Sequence, residues 1–414
     1  GAQDFSLSAG TATARLAGPV GYEPLNLPID LSVTAGAIEL AGGTVVTNGS
    51  QSYTGPVGLF ANASLTSNGT GADGAISFTS SIDSDAPATP RNLIVNTAGT
   101  LRFLGDIGTT NPLASIESDA PGEVRIAGSR VVSTGSQTWN DPVVLEATVS
   151  FESAAAAGTA ILFASTLMPD ANNSRGLVVD GGSAQVRFAD EAGSASSRFA
   201  SVDVTTASTA ADAILVEGSV LAVGDIDWGA ALTVDTSDAA DTLLSGSGQQ
   251  SFAGAVSHTN GIIEAGTGGL DFNASYTGDD SGGDSPTLTG YDSGVASISI
   301  AGDMTLAAFT HFEDELVFDG AATQNFNSND QTIGMVSIDN PAGVSLGANV
   351  TQVNGNHLLN TISLKAGYLD LAGYGWIADT NAAATPVPDS FRGIAGSLVL
   401  SPGTELRCGN LYTA

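Results

Sequence analysis

Apolar and polar residues alternate with a period of two along much of the chain. Clear examples are Ile298-Ser299-Ile300, Leu232-Thr233-Val234 and Ile362-Ser363-Leu364. Such alternation predicts short β-strands that bury one face of each strand. The 3.6-residue period of an amphipathic helix is nearly absent, so the pattern predicts an all-β fold.

Turn signals interrupt this pattern at short intervals, which limits each strand to a few residues. The signals are Asn-Gly and Asp-Gly pairs: Asn48-Gly49, Asn68-Gly69, Asp73-Gly74, Asp180-Gly181, Asn260-Gly261, Asp319-Gly320 and Asn354-Gly355. Many very short strands at close spacing are typical of sandwiches, barrels and solenoids.

A long internal repeat gives the strongest signal. The segment from Gly49 to Val57 recurs from Gly135 to Val143, at an offset of 86 residues. The match continues downstream, where Leu101–Phe103 corresponds to Val186–Phe188. Two further repeats with looser similarity begin at Gln250–Phe252 and Gln324–Phe326. A repeat of this kind indicates an architecture in which each unit stacks on its neighbours.

Two β architectures compete for such a repeat. One is a string of sandwich domains, for which 86 residues is a suitable size. The other is a solenoid with about four coils of roughly 20 residues in each repeat. Short strands, abutting copies without a proline-rich linker, and an aromatic content of only 6% favour the solenoid. We therefore predict a parallel β-helix built from repeats of about 86 residues.

The repeats divide the chain into five predicted segments. They are N-terminal strands or a cap over 1–48, a first repeat over 49–134, a second repeat over 135–247, a divergent β segment over 248–322, and a further repeat with the C-terminal end over 323–414.

Composition narrows the class of protein. A single cysteine, Cys408, excludes a disulfide framework and a cysteine-based metal site. No apolar run reaches the roughly 18 residues of a membrane-spanning helix. No signal peptide precedes Gly1, and we interpret the chain as a mature form or a fragment.

The charge is strongly negative. The chain has 43 acidic residues against 11 lysines and arginines, a formal net charge of −32. Such a surface repels nucleic acid and anionic lipid and attracts cations such as Ca²⁺. Nucleic acid and membranes are therefore not expected as partners.

The repeat resembles those of a known class of proteins. The segment Gly49 to Thr138, with Gln-Ser-Tyr-Thr-Gly-Pro-Val at its start and Leu-Ile-Val-Asn-Thr-Ala-Gly-Thr at 93–100, resembles the long repeats of bacterial surface proteins of the filamentous-haemagglutinin and autotransporter type. Gln331 to Trp376 is similar to another β-helical surface repeat. The resemblance implies a right-handed β-helix, export to the bacterial cell surface, and an adhesive or scaffolding role.

One loop is a candidate calcium site. Asp279, Asp280 and Asp284 lie in a glycine-containing loop, and hard cations prefer several oxygen ligands on such loops. The spacing is that of neither an EF-hand nor a calcium-binding β-roll repeat. An exposed acidic loop without a bound ion is the favoured alternative.

Other candidate chemistry is sparse. The histidines His258, His311 and His357 lie far apart and form no metal-binding motif, although acidic residues follow His311. Arg102 and Arg187 occupy equivalent repeat positions, which indicates a structural role. No phosphate-binding or dinucleotide fingerprint is present, so we predict no enzymatic activity and no certain cofactor.

The repeated aromatic residues allow two interpretations. Tyr53, Trp139, Phe252 and Phe326 each stand near the start of a repeat. They are either packing residues, which we favour, or a ladder on which sugars stack.

These observations support three functional hypotheses. The first is a non-enzymatic extracellular structural protein, a stiff rod that self-associates into a fibre or layer and adheres. The second is an adhesin that binds a surface glycan or matrix, and the third is a β-helix enzyme that acts on polysaccharides.

Overall fold

A computed structural model describes most of the chain. The described residues are 3–21, 27–119, 121–279, 286–290, 296–310, 315–329, 331–353, 360–372, 374–379, 390–393, 396–400, 402, 404–407 and 410–413. They contain β-strands, turns and bends but no helix. The chain forms two compact units, 1–208 and 209–414, which divide within the predicted segment 135–247.

The first unit is a parallel β-solenoid with three faces. Each strand pairs in parallel with the strand one coil earlier, and the chain passes from the first face to the second and third before it begins the next coil. On the first face the successive partners are Phe5, Leu31, Gln51, Ile76, Leu101, Val124, Val143 and Leu167. One coil therefore takes 19 to 26 residues.

The strands of this unit follow the three faces in turn. The first face has Phe5–Ser8, Leu31–Thr34, Gln51–Thr54, Glu123–Ile126, Val143–Leu145 and Leu167–Pro169. The second has Thr13–Leu16, Ala37–Leu40, Val57–Leu59, Ile82–Ser84, Arg130–Ser133, Val149–Ser153, Gly176–Asp180 and Ser201–Thr205. The third has Thr44–Thr47, Ser115–Ser118, Gln137–Trp139, Thr159–Phe163 and Gln185–Phe188. Two long strands, Ala63–Phe78 and Asn92–Phe103, continue from the third face round the corner onto the next first face.

The second unit repeats this architecture. Its first face has Ile214–Val216, Leu232–Asp235, Val256–Asn260, Tyr276–Gly278, Met304–Thr305, Gln324–Asn327, Val344–Leu346, Tyr368–Asp370 and Glu405–Arg407. Two five-stranded sheets follow along the chain: Val220–Ala222, Thr242–Ser245, Ile262–Glu264, Thr287–Thr289 and Ala308–Thr310, then Thr332–Ile333, Val350–Val353, Trp376–Asp379, Ser390–Gly393 and Asn410–Thr413. The remaining face has Ile226–Trp228, Gln250–Phe252, Leu270–Phe272, Ser297–Ile300, Glu315–Phe318, Met335–Asp339, Asn360–Ala366 and Gly396–Leu400.

Alternating burial explains why these segments form strands. In Val149–Ser153 the first, third and fifth side chains are buried, and the two between them face outward. A strand with this pattern places every second side chain inside the coil. The three alternating triplets identified in the sequence all lie in strands, within Leu232–Asp235, Ser297–Ile300 and Asn360–Ala366. The predicted all-β parallel solenoid is confirmed, while its handedness and repeat length stay predictions.

The equivalent parts of the sequence repeat lie on different faces of the first unit. Gln51 is on the first face, paired with Leu31 and Ile76, whereas Gln137 is on the third face, paired with Ile116 and Ile161. The matched segments Leu101–Phe103 and Val186–Phe188 are likewise on the first and third faces. An offset of 86 residues thus advances three whole coils and two faces, so one local sequence builds similar corners on different faces.

Candidate functional site

The recurring aromatic residues lie in the core. Tyr53, Trp139, Phe252 and Phe326 are all completely buried. Tyr53 stacks on Phe78 with ring centroids 4.9 Å apart, and Phe252 stacks in the same way on Phe272 at 4.4 Å. A sugar cannot reach these rings, so the packing interpretation is confirmed and the sugar-stacking ladder is wrong.

A buried glutamine precedes each of these aromatics by two residues. The four glutamines are Gln51, Gln137, Gln250 and Gln324, none more than 1% exposed. In the first three, Nε2 donates to a backbone carbonyl 14 or 15 residues further along, at 2.8 Å: the acceptors are Thr66 O, Glu152 O and Glu264 O. Gln324 donates instead to Ile300 O and Gly302 O. The repeat therefore carries a corner device, a buried amide that satisfies main-chain carbonyls.

This role is visible only in the folded chain. The sequence shows that a glutamine and an aromatic residue recur together. It does not show which carbonyls the glutamine amide binds, because that depends on how the coils are aligned. Without such a donor, a buried carbonyl costs free energy comparable to a lost hydrogen bond. The recurrence of glutamine two residues before the aromatic is the one sequence feature that indicates this structural role.

One of the two repeated arginines, Arg102, takes part in an ion pair at the surface. Arg102 Nη2 lies 2.7 Å from Glu146 Oε2, and Arg125 binds the other oxygen of the same carboxylate at 2.8 Å. Burial opposes ionisation of Glu146, but the hydrogen bonds from both arginines hold its pKa below the usual range. Arg187 lies outward on Gln185–Phe188 and is half-buried. Such partly exposed pairs contribute little to stability.

Several aspartates hold the turns of neighbouring coils. Asp30 Oδ1 accepts a hydrogen bond from Ser50 N at 2.6 Å, and Asp106 Oδ1 accepts one from Ser129 N at 2.7 Å. Asp225 and Asp303 do the same for backbone amides 24 and 22 residues further along. Part of the acidic composition thus has a structural role, because each carboxylate ties one coil to the next.

The predicted calcium loop falls mainly outside the described residues. Asp280 and Asp284 are not described. Asp279 is exposed, and its backbone N–H donates to the carbonyl of His258 at 2.9 Å. Across the described ranges, no group of three or more His, Cys, Asp or Glu side chains is arranged to hold a metal ion.

Only one of the three histidines lies among the described residues, and it belongs to the core. His258 is fully buried, with Nδ1 3.0 Å from the hydroxyl of Tyr276 and Nε2 3.1 Å from the carbonyl of Gly261. Burial lowers the pKa of His258 to about 4, against the opposing effect of the backbone hydrogen bonds of Gly261 and Asn260. His311 and His357, with the acidic residues that follow His311, lie outside the described residues.

The neutral His258 makes stability depend on pH. The unfolded chain takes up a proton at the ordinary histidine pKa of about 6.5, whereas the folded chain does so only near pH 4. The free energy of unfolding is therefore expected to fall by about 3 kcal/mol as the pH drops through this window. Denaturant unfolding of the wild type and of His258→Asn between pH 7.5 and pH 4 isolates the effect.

The difference between the two proteins is the informative quantity, because carboxylates titrate in the same window. Burial raises the pKa of Asp141 to about 6, which contributes the opposite slope in both proteins. The stability difference between wild type and His258→Asn should shrink as the pH falls. A difference that stays constant from pH 7.5 to pH 4 would show that His258 protonates normally in the fold.

The described part of the chain has no helix with the length and hydropathy needed to cross a bilayer. Comparison with known proteins found no matching family model, curated protein or solved structure.

Proposed function

We propose that this protein is a non-enzymatic structural protein of an extracellular bacterial surface, a β-solenoid that builds a scaffold, fibre or layer and supports adhesion. The observation that carries the proposal is that the recurring residues are buried and pack the solenoid. The repeated aromatics and glutamines are buried in the core and corners. The repeated residues therefore serve to stack one coil on the next, which is what an extended structural protein requires.

The distribution of charged groups also favours a non-enzymatic role. Polysaccharide-cleaving sites combine carboxylates with basic or acidic partners in one place. Here the paired carboxylates with lowered pKa values, such as Glu146, Glu152 and Asp170, each bind arginine in ion pairs. These groups are held ionised by their partners and are poor proton donors.

The geometry of solenoids in general supports the proposed self-association. The end of any solenoid presents unpaired strand edges, which need a cap or a further copy of the coil. A surface location is supported by the resemblance of Gly49 to Thr138 to the repeats of exported bacterial surface proteins. The net charge of −32 makes nucleic acid a poor candidate as a partner.

Electron microscopy of the purified protein tests the assembly part of the proposal. Samples at several protein concentrations, with a chelator or with millimolar Ca²⁺, are expected to contain filaments or ordered layers. Isolated particles under every condition would contradict assembly.

Two assays test the remaining parts on the same preparation. We expect no release of reducing sugar from acidic polysaccharides, and such release would contradict the non-enzymatic proposal. Binding to a defined glycan on an array, without any assembly, would favour the adhesin over the scaffold.

A further inference from the structure

One corner of the first unit is lined by hydroxyl side chains in successive coils. Thr47 pairs with Ser67, and Ser67 pairs with Thr97, at the end of the third face. All three are buried. Thr47 Oγ1 and Ser67 Oγ donate to the carbonyl of Gly49 at 2.6 and 2.7 Å, and Thr97 Oγ1 donates to the carbonyl of Gly74. In each coil a hydroxyl hydrogen links two oxygens at this corner.

A carboxylate takes this position two coils later. Val95 pairs with Ser118 and Ser118 pairs with Trp139, so Asp141 lies two residues beyond Trp139 just as Thr97 lies two beyond Val95. Asp141 is only 3% exposed. An ionised carboxylate has no hydrogen to donate. Its Oδ1 has no hydrogen-bond partner anywhere in the described part of the chain.

Other oxygens converge on the same point beside Gly122. A Cβ placed on Gly122 would lie 2.5 Å from Thr97 O, 2.9 Å from Asp141 Oδ1 and 3.0 Å from Gly99 O. Any residue with a side chain would collide with these atoms, so glycine keeps the space beside them open. The carbonyl oxygens of Thr97 and Gly99, from one coil, and Asp141 Oδ1, from the coil two later, therefore lie around the same point beside Gly122. Asp141 Oδ1 has no hydrogen-bond donor in the described part of the chain.

A second carboxylate adjoins the first. Asp119 Oδ1 accepts a hydrogen bond from Thr97 N at 3.1 Å. Burial, and then the negative charge of Asp119, raise the pKa of Asp141 to about 6, against the Ser118 hydroxyl. Within the described ranges, neither carboxylate forms an ion pair with an arginine or lysine. The buried carboxylate of Asp141 and the half-buried carboxylate of Asp119 therefore lack a basic partner in the described part of the chain.

We propose that this corner binds a divalent cation of the calcium type, held by the carboxylates of Asp141 and Asp119 and by the carbonyl oxygens of Thr97 and Gly99. Ca²⁺ prefers oxygen ligands of these two kinds, at about 2.3–2.6 Å. The cation takes the place of the hydroxyl hydrogens of the earlier coils and joins three coils at one point. Because the site supplies only two carboxylates, we expect an affinity in the range of about 0.1–1 mM.

Thermal unfolding with and without Ca²⁺ tests this proposal. At pH 7.5, 5 mM CaCl₂ is expected to raise the Tm of the wild type by about 4 °C over a chelated sample at matched ionic strength. Asp141→Ser restores the hydroxyl of the other coils and removes the anionic ligand. Its Tm should be insensitive to Ca²⁺ and at least equal to that of the chelated wild type.

Two further variants make the result specific. Asp119→Asn removes the second carboxylate and should weaken calcium binding at least tenfold in isothermal titration calorimetry. Glu117→Gln removes the same charge from an exposed position on the same segment, so its calcium response should equal that of the wild type. A wild type that ignores Ca²⁺, or an Asp141→Ser variant that responds as strongly as the wild type, would overturn the assignment.

Discussion

Replacing Phe78 with alanine is expected to lower the free energy of unfolding by about 4 kcal/mol. Phe78 is 1% exposed and lies between the rings of Tyr53 and Phe103, with centroids 4.9 and 5.4 Å away and planes inclined by 9° in both contacts. The substitution removes buried apolar area, leaves a cavity between two coils, and eliminates both stacking contacts. Because adjacent coils contact mainly each other, the loss is concentrated in the first unit.

Phe5 provides the matched control for this prediction. It lies on the same face of the first unit but is 47% exposed. Phe5→Ala should change the free energy of unfolding by less than about 1 kcal/mol. Guanidinium unfolding followed by far-UV circular dichroism compares the two variants. Equal losses for both would mean that the aromatic stack does not hold the coils together.

Gln250→Ala is expected to cost about 3–4 kcal/mol although it removes a polar residue. The Nε2 of Gln250 donates to Leu243 O at 3.0 Å and to Glu264 O at 2.8 Å, and the side chain is completely buried. Alanine removes both donated hydrogen bonds and leaves a cavity at the corner. The two carbonyls then stay buried without this hydrogen-bond donor, which lowers the stability of the folded chain.

The neighbouring residue isolates this effect. Gln249 is exposed, and its contact to Asp225 is made by the backbone N–H, which alanine retains. Gln249→Ala should therefore leave the midpoint of guanidinium unfolding nearly unchanged. If both alanine variants unfold at the wild-type midpoint, the corner amide is not a stabilising device.

The strands were predictable from the sequence because their signal is local. The alternation in Leu232-Thr233-Val234 and in Ile298-Ser299-Ile300 reflects burial on one side of a strand, and both segments are strands with that burial. The predicted divergent segment 248–322 also forms strands where it is described, for example Leu270–Phe272 and Ser297–Ile300.

The arrangement of coils was less predictable because it depends on turn lengths. The sequence suggests about four coils of roughly 20 residues in each repeat, and a whole number of coils would bring equivalent residues to one face. Instead, coils of the first unit vary from 19 to 26 residues, and Gln51 and Gln137 lie on different faces. Insertions in turns shift this register without changing the alternation inside any strand.

The candidate cation site was also not predictable from the sequence, because it too depends on the register of the coils. Asp141 lies in the recurring segment Gly135 to Val143 but stands where the first copy has Gly55. Asp119 and the carbonyls of Thr97 and Gly99 have no sequence signature. They meet only because their coils stack in one register. The acidic loop at 279–284 is a candidate in the sequence because its carboxylates are close together along the chain. The carboxylate of Asp141 becomes a candidate only in the folded chain, where its Oδ1 is buried without a hydrogen-bond partner.

The parallel stacking of coils in this register within the first unit can be measured directly by cross-linking. Ser32, Ser52 and Ser77 test it, since they face outward from successive coils of the first face. Neighbouring coils are about 4.8 Å apart, within the range of a disulfide, and alternate coils are about 10 Å apart, outside it. The measurement is oxidative cross-linking of paired variants in a Cys408→Ser background.

Disulfides are expected to form rapidly in S32C/S52C and in S52C/S77C, and not in S32C/S77C. Failure of both neighbouring pairs to cross-link, or cross-linking of S32C/S77C at the same rate, would contradict the parallel register.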